Sequence, residues 1–383
     1  MKTNNHMSHK VQVIAFYLPQ FHPIPENDEW WGKGFTEWTN VARAQKYYKG
    51  HYQPRIPADL GFYDLRVPET RVAQAELAKE AGVTAFCYWH YWFGNGKQLL
   101  ERPLQEVVKL GEPDFPFMLG WANHSWISTS WNTKQSSLIP EILIEQKYPG
   151  EQDIIDHFNT MLPVFKDKRY LRIHGRLPFL IYAPQLIPDF EKFKTIWNNL
   201  AIEKNLPKFF FIAHTELSAM LELPVFQKAD AVCFCRVNPF LFDSYKLSLS
   251  HRIVNRLKRE INNLKALATP PNVIDYDEAV VRMDTDRIEN NKIYPTIIPN
   301  WDQSPRKGIK ALIYHNSTPD LFYKHVKMTL NRIKNKDDED KIIFLKSWTE
   351  WAEGNYMEPD LKYGKGYIKA LRKALDEFDN QAE

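Results

Sequence analysis

Two glutamates lie three residues apart near the end of the chain, in Trp348-Thr349-Glu350-Trp351-Ala352-Glu353-Gly354. They follow the apolar run Ile342–Leu345, which reads as a buried strand. A carboxyl pair of this kind suits work at a glycosidic bond. One carboxylic acid protonates the leaving oxygen, and a second carboxylate delivers or activates a nucleophile. Trp348 and Trp351 flank the pair. A half-buried carboxyl among tryptophans tends towards a raised pKa, which fits a general acid. The plain alternative is a solvated loop, but such loops seldom carry two tryptophans beside their charges.

The same mixture of aromatics and polar groups follows other apolar runs. Tyr17, Gln20 and His22 close the first. Trp89, His90 and Tyr91 close the second, Asn123 and Trp126 the third, and Trp301, Asp302 and Arg306 the seventh. A pyranose needs this combination: an aromatic ring for its C–H face, and amides, imidazoles, carboxylates or guanidinium groups for its hydroxyls. A single tryptophan here is as well explained by core packing. The set is not, because polar residues interleave with the rings.

The elements that must position these residues recur regularly. Eight near-continuous apolar runs are present: Val11–Leu18, Val83–Trp89, Phe115–Gly120, Leu177–Tyr182, Phe209–His214, Ala231–Val237, Ile293–Ile298 and Ile342–Leu345. Amphipathic stretches separate most of them: Pro68–Ala81, Leu100–Leu110, Asp153–Phe165, Phe190–Leu200, Tyr276–Ile288 and Pro319–Ile333. Pro68 and Pro319 suit a first helical turn, and Gly82 suits a left-handed cap. The alternation predicts an α/β fold, a single (β/α)8 (TIM) barrel over residues 1–383, with its chemistry at the C-terminal ends of the strands. A doubly wound open sheet is the runner-up. It calls for a glycine-rich phosphate turn after an early strand, where this chain has Pro19-Gln20-Phe21-His22-Pro23.

A helical insertion is expected between the sixth and seventh strands, at about residues 238–276. Within it, Leu249, Ile253, Leu257, Ile261 and Leu264 form a helical stripe beside Lys246, Arg252, Arg256, Lys258, Arg259 and Lys265. The plain reading is a helix packed on the barrel. The alternative is peripheral membrane contact through 245–265, with anionic lipid or a lipid-linked glycan.

Composition narrows the function classes. The chain has 383 residues and a net charge of +3, too balanced for a nucleic-acid binder. Its 12 tryptophans exceed what packing alone explains. Cys87, Cys233 and Cys235 lie in apolar runs and read as buried free thiols. Met1 to Lys10 has no apolar signal core, and no run is long enough to span a membrane. The chain therefore reads as cytoplasmic, with the basic stripe as its candidate contact with the inner membrane. Asp284-Thr285-Asp286 matches a metal-binding Asp-x-Asp pattern but sits in a helical stretch rather than at a strand end. His22, His90 and His124 show no metal-ligand spacing. No metal and no cofactor is expected.

The run from Trp348 to Asp360 resembles the signature of the WbsX family, glycosyltransferases of bacterial O-antigen and capsule clusters, which are similar in turn to glycoside hydrolase family 99, the endo-α-mannosidase group. The resemblance extends to Phe16–Pro23, Gly34–Val41, Tyr88–Phe93, Gly120–Trp126 and Pro299–Arg306. It implies a (β/α)8 barrel and, in the hydrolase branch, retaining chemistry. There the first glutamate acts as a base on the sugar 2-hydroxyl, giving a 1,2-anhydro intermediate, and the second is general acid and then general base. By motif those roles fall on Glu350 and Glu353. The matched motifs bring Glu37, Trp38, Trp348, Trp351 and Glu358 into the substrate-binding set. Thr349 departs from the asparagine usual there, and its hydroxyl is expected to orient the neighbouring carboxylate.

The resulting expectation is an enzyme acting on an oligosaccharide or polysaccharide, lipid-linked in the biosynthetic case. The first reading is a glycosyltransferase of surface polysaccharide (lipopolysaccharide O-antigen or capsule) assembly. The second is a retaining endo-glycosidase on an α-linked glycan. A third, from another class, is a non-catalytic glycan-binding barrel, which would need the aromatics but not both glutamates.

Overall fold

The computed structural model describes residues 10–128, 141–238, 271–283, 288 and 290–381. Eight strands form the centre: β1 (Gln12–Tyr17), β2 (Ala85–Trp92), β3 (Phe117–Trp121), β4 (Leu177–Ile181), β5 (Phe209–Thr215), β6 (Ala231–Phe234), β7 (Ile293–Ile297) and β8 (Ile342–Leu345). Each pairs in parallel with the next, and β8 pairs with β1, so the sheet closes. Closure leaves no edge strand, and all eight C-terminal ends meet at one mouth. This is the expected (β/α)8 barrel rather than the open sheet.

The strands are buried on both faces, which is why they read as continuous apolar runs. Alternate residues nonetheless face different layers. Phe16 points inward, stacked on Trp89 at 4.8 Å and on Phe344 at 5.3 Å. Its neighbour Tyr17 points outward to the helix layer. Gly120 is needed beside Trp89, because a Cβ there would sit 3.1 Å from the Trp89 ring and from Cys87 Sγ.

The helices are α1 (Pro25–Trp31), α2 (Glu37–Arg43), α3 (Pro68–Ala81), α4 (Arg102–Leu110), α5 (Glu151–Phe165), α6 (Phe190–Glu203), α7 (Pro224–Lys228), α8 (Tyr276–Met283), α9 (Ser304–Lys307), α10 (Pro319–Ile333) and α11 (Gly366–Gln381). Pro68 and Pro319 open their helices, and Gly82 caps α3 in the left-handed conformation, φ 85°. The helix expected from Leu100 starts at Arg102 instead. Gln98–Leu99 pairs antiparallel with Tyr91–Trp92, and Leu100 has φ 59°, so the chain turns before it can coil. Short α2 and the C-terminal α11, which packs on α3 and α10, lie outside the sequence-based scheme. Residues 245–265 and 284–287, with the basic stripe and the Asp-x-Asp pattern, lie outside the described residues. Cys87, Cys233 and Cys235 are buried free thiols.

Candidate active site

The glutamate loop is a tight return beyond β8. Thr349–Glu350 pairs antiparallel with Asn355–Tyr356, and Trp351–Glu353 forms one 3₁₀ turn between them. The Ser347 N–H donates to the Asn355 carbonyl at 3.0 Å, and the Trp348 N–H to the Phe16 carbonyl at 2.7 Å, fastening the loop to β1. Gly354 makes the turn possible, with φ 68°. A Cβ there would sit 2.8 Å from the Asp302 backbone nitrogen, and that N–H donates to the Glu353 carbonyl at 2.7 Å.

Both glutamates project into the barrel mouth. Glu350 is 7% exposed and its Oε2 accepts from Ser347 Oγ at 2.9 Å. Arg306 on α9 reaches both carboxylates with one nitrogen: Nη1 is 2.7 Å from Glu353 Oε1 and 3.5 Å from Glu350 Oε1. Its Nε and Nη2 bind buried Glu37, at the start of α2, at 3.1 and 2.9 Å. Thr36 caps α2 with a reciprocal Thr36–Thr39 box, which fixes where Glu37 leaves the chain.

Burial and charge oppose one another here. Burial pushes the Glu353 carboxyl up, but Arg306, with Lys346 and Lys307, outweighs it and holds the group below the usual carboxylate range. That is the reverse of the rise expected from its tryptophan neighbours: a paired guanidinium dominates two rings. Burial does raise Glu37, even against Arg306, and it raises Glu216 at the end of β5. Lys346, just past β8, is raised because Glu350, Glu353 and Glu216 overcome the cost of burying its ammonium.

These groups face a cleft of about 740 Å³. Of the residues expected in the site, Gln20, Glu37, Trp89, Tyr91, Trp126, Trp301, Arg306, Glu350 and Glu353 line it. The arrangement juxtaposes two carboxyl groups with aromatic faces, as work on a sugar requires. Among the described residues, no group of three or more His, Cys, Asp or Glu side chains is placed to hold a metal ion.

The other expected residues lie behind the cleft. Tyr17 faces α3 and donates to Gln74 Oε1 at 2.7 Å. His90 faces α5, with Nε2 2.8 Å from His157 Nε2. Both are one residue out of phase with inward neighbours, Phe16 and Trp89. His22 is 2% exposed, and burial lowers its pKa to about 4. Asn123 clamps the ends of β3 and β4, accepting from the Ala183 N–H at 2.7 Å and donating to the Ala183 carbonyl at 2.8 Å. Asp302 accepts from His51 at 2.8 Å and from Gln53 at 2.7 Å.

Trp38, Trp351 and Glu358 form one buried network. Glu358 accepts from Trp351 Nε1 at 2.6 Å, Tyr63 Oη at 2.8 Å and Gln74 Nε2 at 2.6 Å, while Trp38 Nε1 donates to the Tyr63 carbonyl. Trp348 is wholly buried and tilts against Phe86 at 5.8 Å, in the outer layer. Thr349 does not orient Glu350. Its hydroxyl donates to the Leu18 carbonyl and accepts from the Leu18 N–H, and Ser347 holds the carboxylate instead.

The cleft also holds His124, weighed in the sequence only as a metal ligand, and Trp31, Phe35, Tyr182, Glu216 and Lys346, which sequence reading passed over. Tyr182, Glu216 and Lys346 each stand at or just past a strand end. The rule applied to the first, second, third, seventh and eighth runs would have found them on β4, β5 and the first position beyond β8.

Relatives agree with this architecture. The chain matches the sequence profile of the family described as Glycosyltransferase WbsX over residues 13–371. An uncharacterized protein, WxcX of Xanthomonas campestris pv. campestris, is 34% identical over 366 residues, which is 95% of this chain and 49% of WxcX. The chain thus spans about half the length of the curated relatives it matches. A solved glycoside hydrolase-like protein superposes with TM-score 0.57 at 15% identity, covering 98% of this chain and 95% of that one. The GH99 endo-alpha-mannosidase of Bacteroides thetaiotaomicron, in complex with bis-tris-propane, does so with TM-score 0.55 at 14% identity, covering 97% and 99%. Likeness at such identities is likeness of fold. From the first barrel strand to the last helix, the chain belongs to the WbsX glycosyltransferase family.

Proposed function

We propose that the enzyme transfers a glycosyl unit with retention, within the assembly of a bacterial surface polysaccharide, using Glu350 as base and Glu353 as general acid and then base. The observation that carries this reading is the pairing of the two carboxylates across one arginine nitrogen in an aromatic cleft. In the first step Glu350 takes the proton of the donor sugar's 2-hydroxyl, and that oxygen attacks C1. The C1–O bond to the leaving group breaks, and Glu353, which must carry a proton for this step against the pull of Arg306, protonates the departing oxygen. In the second step Glu353 takes the proton of an acceptor hydroxyl, which opens the 1,2-anhydro sugar at C1, and Glu350 returns its proton to O2. Ser347 Oγ and Arg306 Nη1 hold the Glu350 carboxyl group from its two oxygens.

Transfer and hydrolysis differ only in whether a sugar hydroxyl or water opens the intermediate. An endo-glycosidase acting on an α-linked glycan is therefore the second reading, supported by the hydrolase fold of the solved neighbours. The substrate in the first reading is a lipid-linked glycan, met at the inner-membrane surface. Mass spectrometry of candidate lipid-linked and free oligosaccharides incubated with the enzyme tests both, using ¹⁸O-water. Products lengthened without ¹⁸O support transfer, and shortened products carrying ¹⁸O support hydrolysis. No product from any substrate, with unchanged glycan binding, would leave the non-catalytic barrel standing.

A further inference from the structure

We infer that Lys346 is a positioning residue for the reaction, the counter-charge that holds the Glu350 carboxyl group in place in the cleft floor. This rests on the role proposed for Glu350. The Lys346 backbone N–H donates to the Ile297 carbonyl at 3.0 Å, so the β7–β8 ladder runs one residue past β8. Alternation then turns the side chain inward, as it does Phe344. The side chain is 8% exposed. Its Nζ stands 3.9 Å from Glu350 Oε2, the oxygen that already accepts from Ser347.

That separation is too long for a hydrogen bond and short for a charge interaction in a buried site. The ammonium lies 5.4 Å from the Trp301 ring centre and 5.8 Å from that of Phe16. Ring faces hold a cation without offering it a competing anion. Arg306 approaches the other oxygen of Glu350, but its Nη1 is closer to Glu353 and its remaining edge is bound by Glu37. Arg306 is thus shared among Glu37, Glu353 and Glu350, whereas Lys346 meets Glu350 at the oxygen that Arg306 does not approach.

A buried lysine in a glycan cleft suggests a rival role, an anchor for an anionic sugar. Charge decides against it. Lys346 is surrounded by Glu350, Glu353 and Glu216, with Cys235 and neutral His214 beside them. An anionic substituent would enter against three carboxylates. Arg306 and Lys346 face Glu350 as cations, and Glu37, Glu216, Tyr91 and Cys235 face it as groups that Glu350 itself keeps protonated more readily.

The test is ¹³C-carboxyl NMR of glutamate-labelled enzyme at one fixed pH, with Glu350→Gln assigning the signal. Lys346→Met is expected to displace the Glu350 signal, and Lys346→Arg to return it most of the way. Lys346→Gln serves as a second neutral variant, and circular dichroism verifies the fold of each. A Glu350 signal that stays at its wild-type position in either folded neutral variant overturns the inference. So does D-glucuronate binding that is lost in Lys346→Met while the Glu350 signal stays fixed, which would make Lys346 an anion anchor. The spectrum needs no turnover. A displaced Glu350 signal in an enzyme that forms no glycosidic product keeps the positioning role and refutes only the proposed reaction.

Discussion

Glu37 binds the Arg306 guanidinium along one edge, one carboxylate oxygen meeting Nε at 3.1 Å and Nη2 at 2.9 Å. The opposite corner of the guanidinium is thereby aimed at Glu353. Glu37→Gln is expected to loosen that aim and to lower stability by about 1–3 kcal/mol, the cost of weakening a buried charge-assisted contact that keeps other partners. Thermal unfolding and initial rates of product formation check this. An unchanged melting temperature together with unchanged rates would make Glu37 dispensable.

The two glutamates are expected to respond differently to substitution. Glu353→Gln removes the proton donor and should cost about 10²–10⁴-fold in rate on substrates with poor leaving groups, but much less on an activated aryl glycoside. Glu350→Gln should damage both classes, because it removes the base that forms the intermediate. Equal and mild losses on both would separate the pair from the chemistry.

Glu358 makes stability depend on pH. Burial raises its carboxyl to about 7 against the pull of Trp351, Gln74 and Tyr63. The folded state therefore holds this proton more tightly than the unfolded chain, whose glutamates titrate near about 4.3. Its contribution is full below that value and is lost as pH rises through about 7, on the order of 3 kcal/mol in all. Melting temperatures of wild type and Glu358→Gln between pH 4.5 and 8 test this. The variant should lack the decline, and parallel curves would refute the assignment.

Gly354→Ala places a side chain in left-handed backbone, costing about 1–2 kcal/mol, and drives its Cβ onto Asp302. The Asp302–Glu353 backbone bond should break or lengthen. The expected outcome is a folded protein with a lower melting temperature and a larger loss of activity than of glycan binding. Wild-type turnover in that variant would show that the bond does not position the acid.

For the basic stripe of 245–265, replacing Arg252, Arg256, Arg259 and Lys265 with Gln should abolish sedimentation with anionic liposomes at low salt, if the segment makes membrane contact. Wild-type protein that ignores the liposomes would end that proposal.

The barrel was readable because strands buried on both faces leave near-continuous apolar runs, and all eight barrel strands fall within or overlap the eight runs. Which strand-end residues reach the cleft was less readable. Trp89 and His90 have the same sequence context, and only the phase of the pleat sends one to the mouth and the other to His157. Glu358 and Asp302 look like site carboxylates by type, yet each is taken up by donors from distant segments, which no local pattern reveals. The direction at Glu353 also needed the fold, because Arg306 is brought to it from the segment that follows β7.

The ties from His51 and Gln53 to Asp302 join a segment between α2 and α3 to the residue that holds the Glu353 carbonyl. A lesion at 51 or 53 would thus present itself as a defect of catalysis, although neither side chain lines the cleft. Among relatives, positions 51, 53 and 302 should drift together or stay put together, and a screen for inactive enzyme should recover substitutions in that segment as often as in the cleft wall.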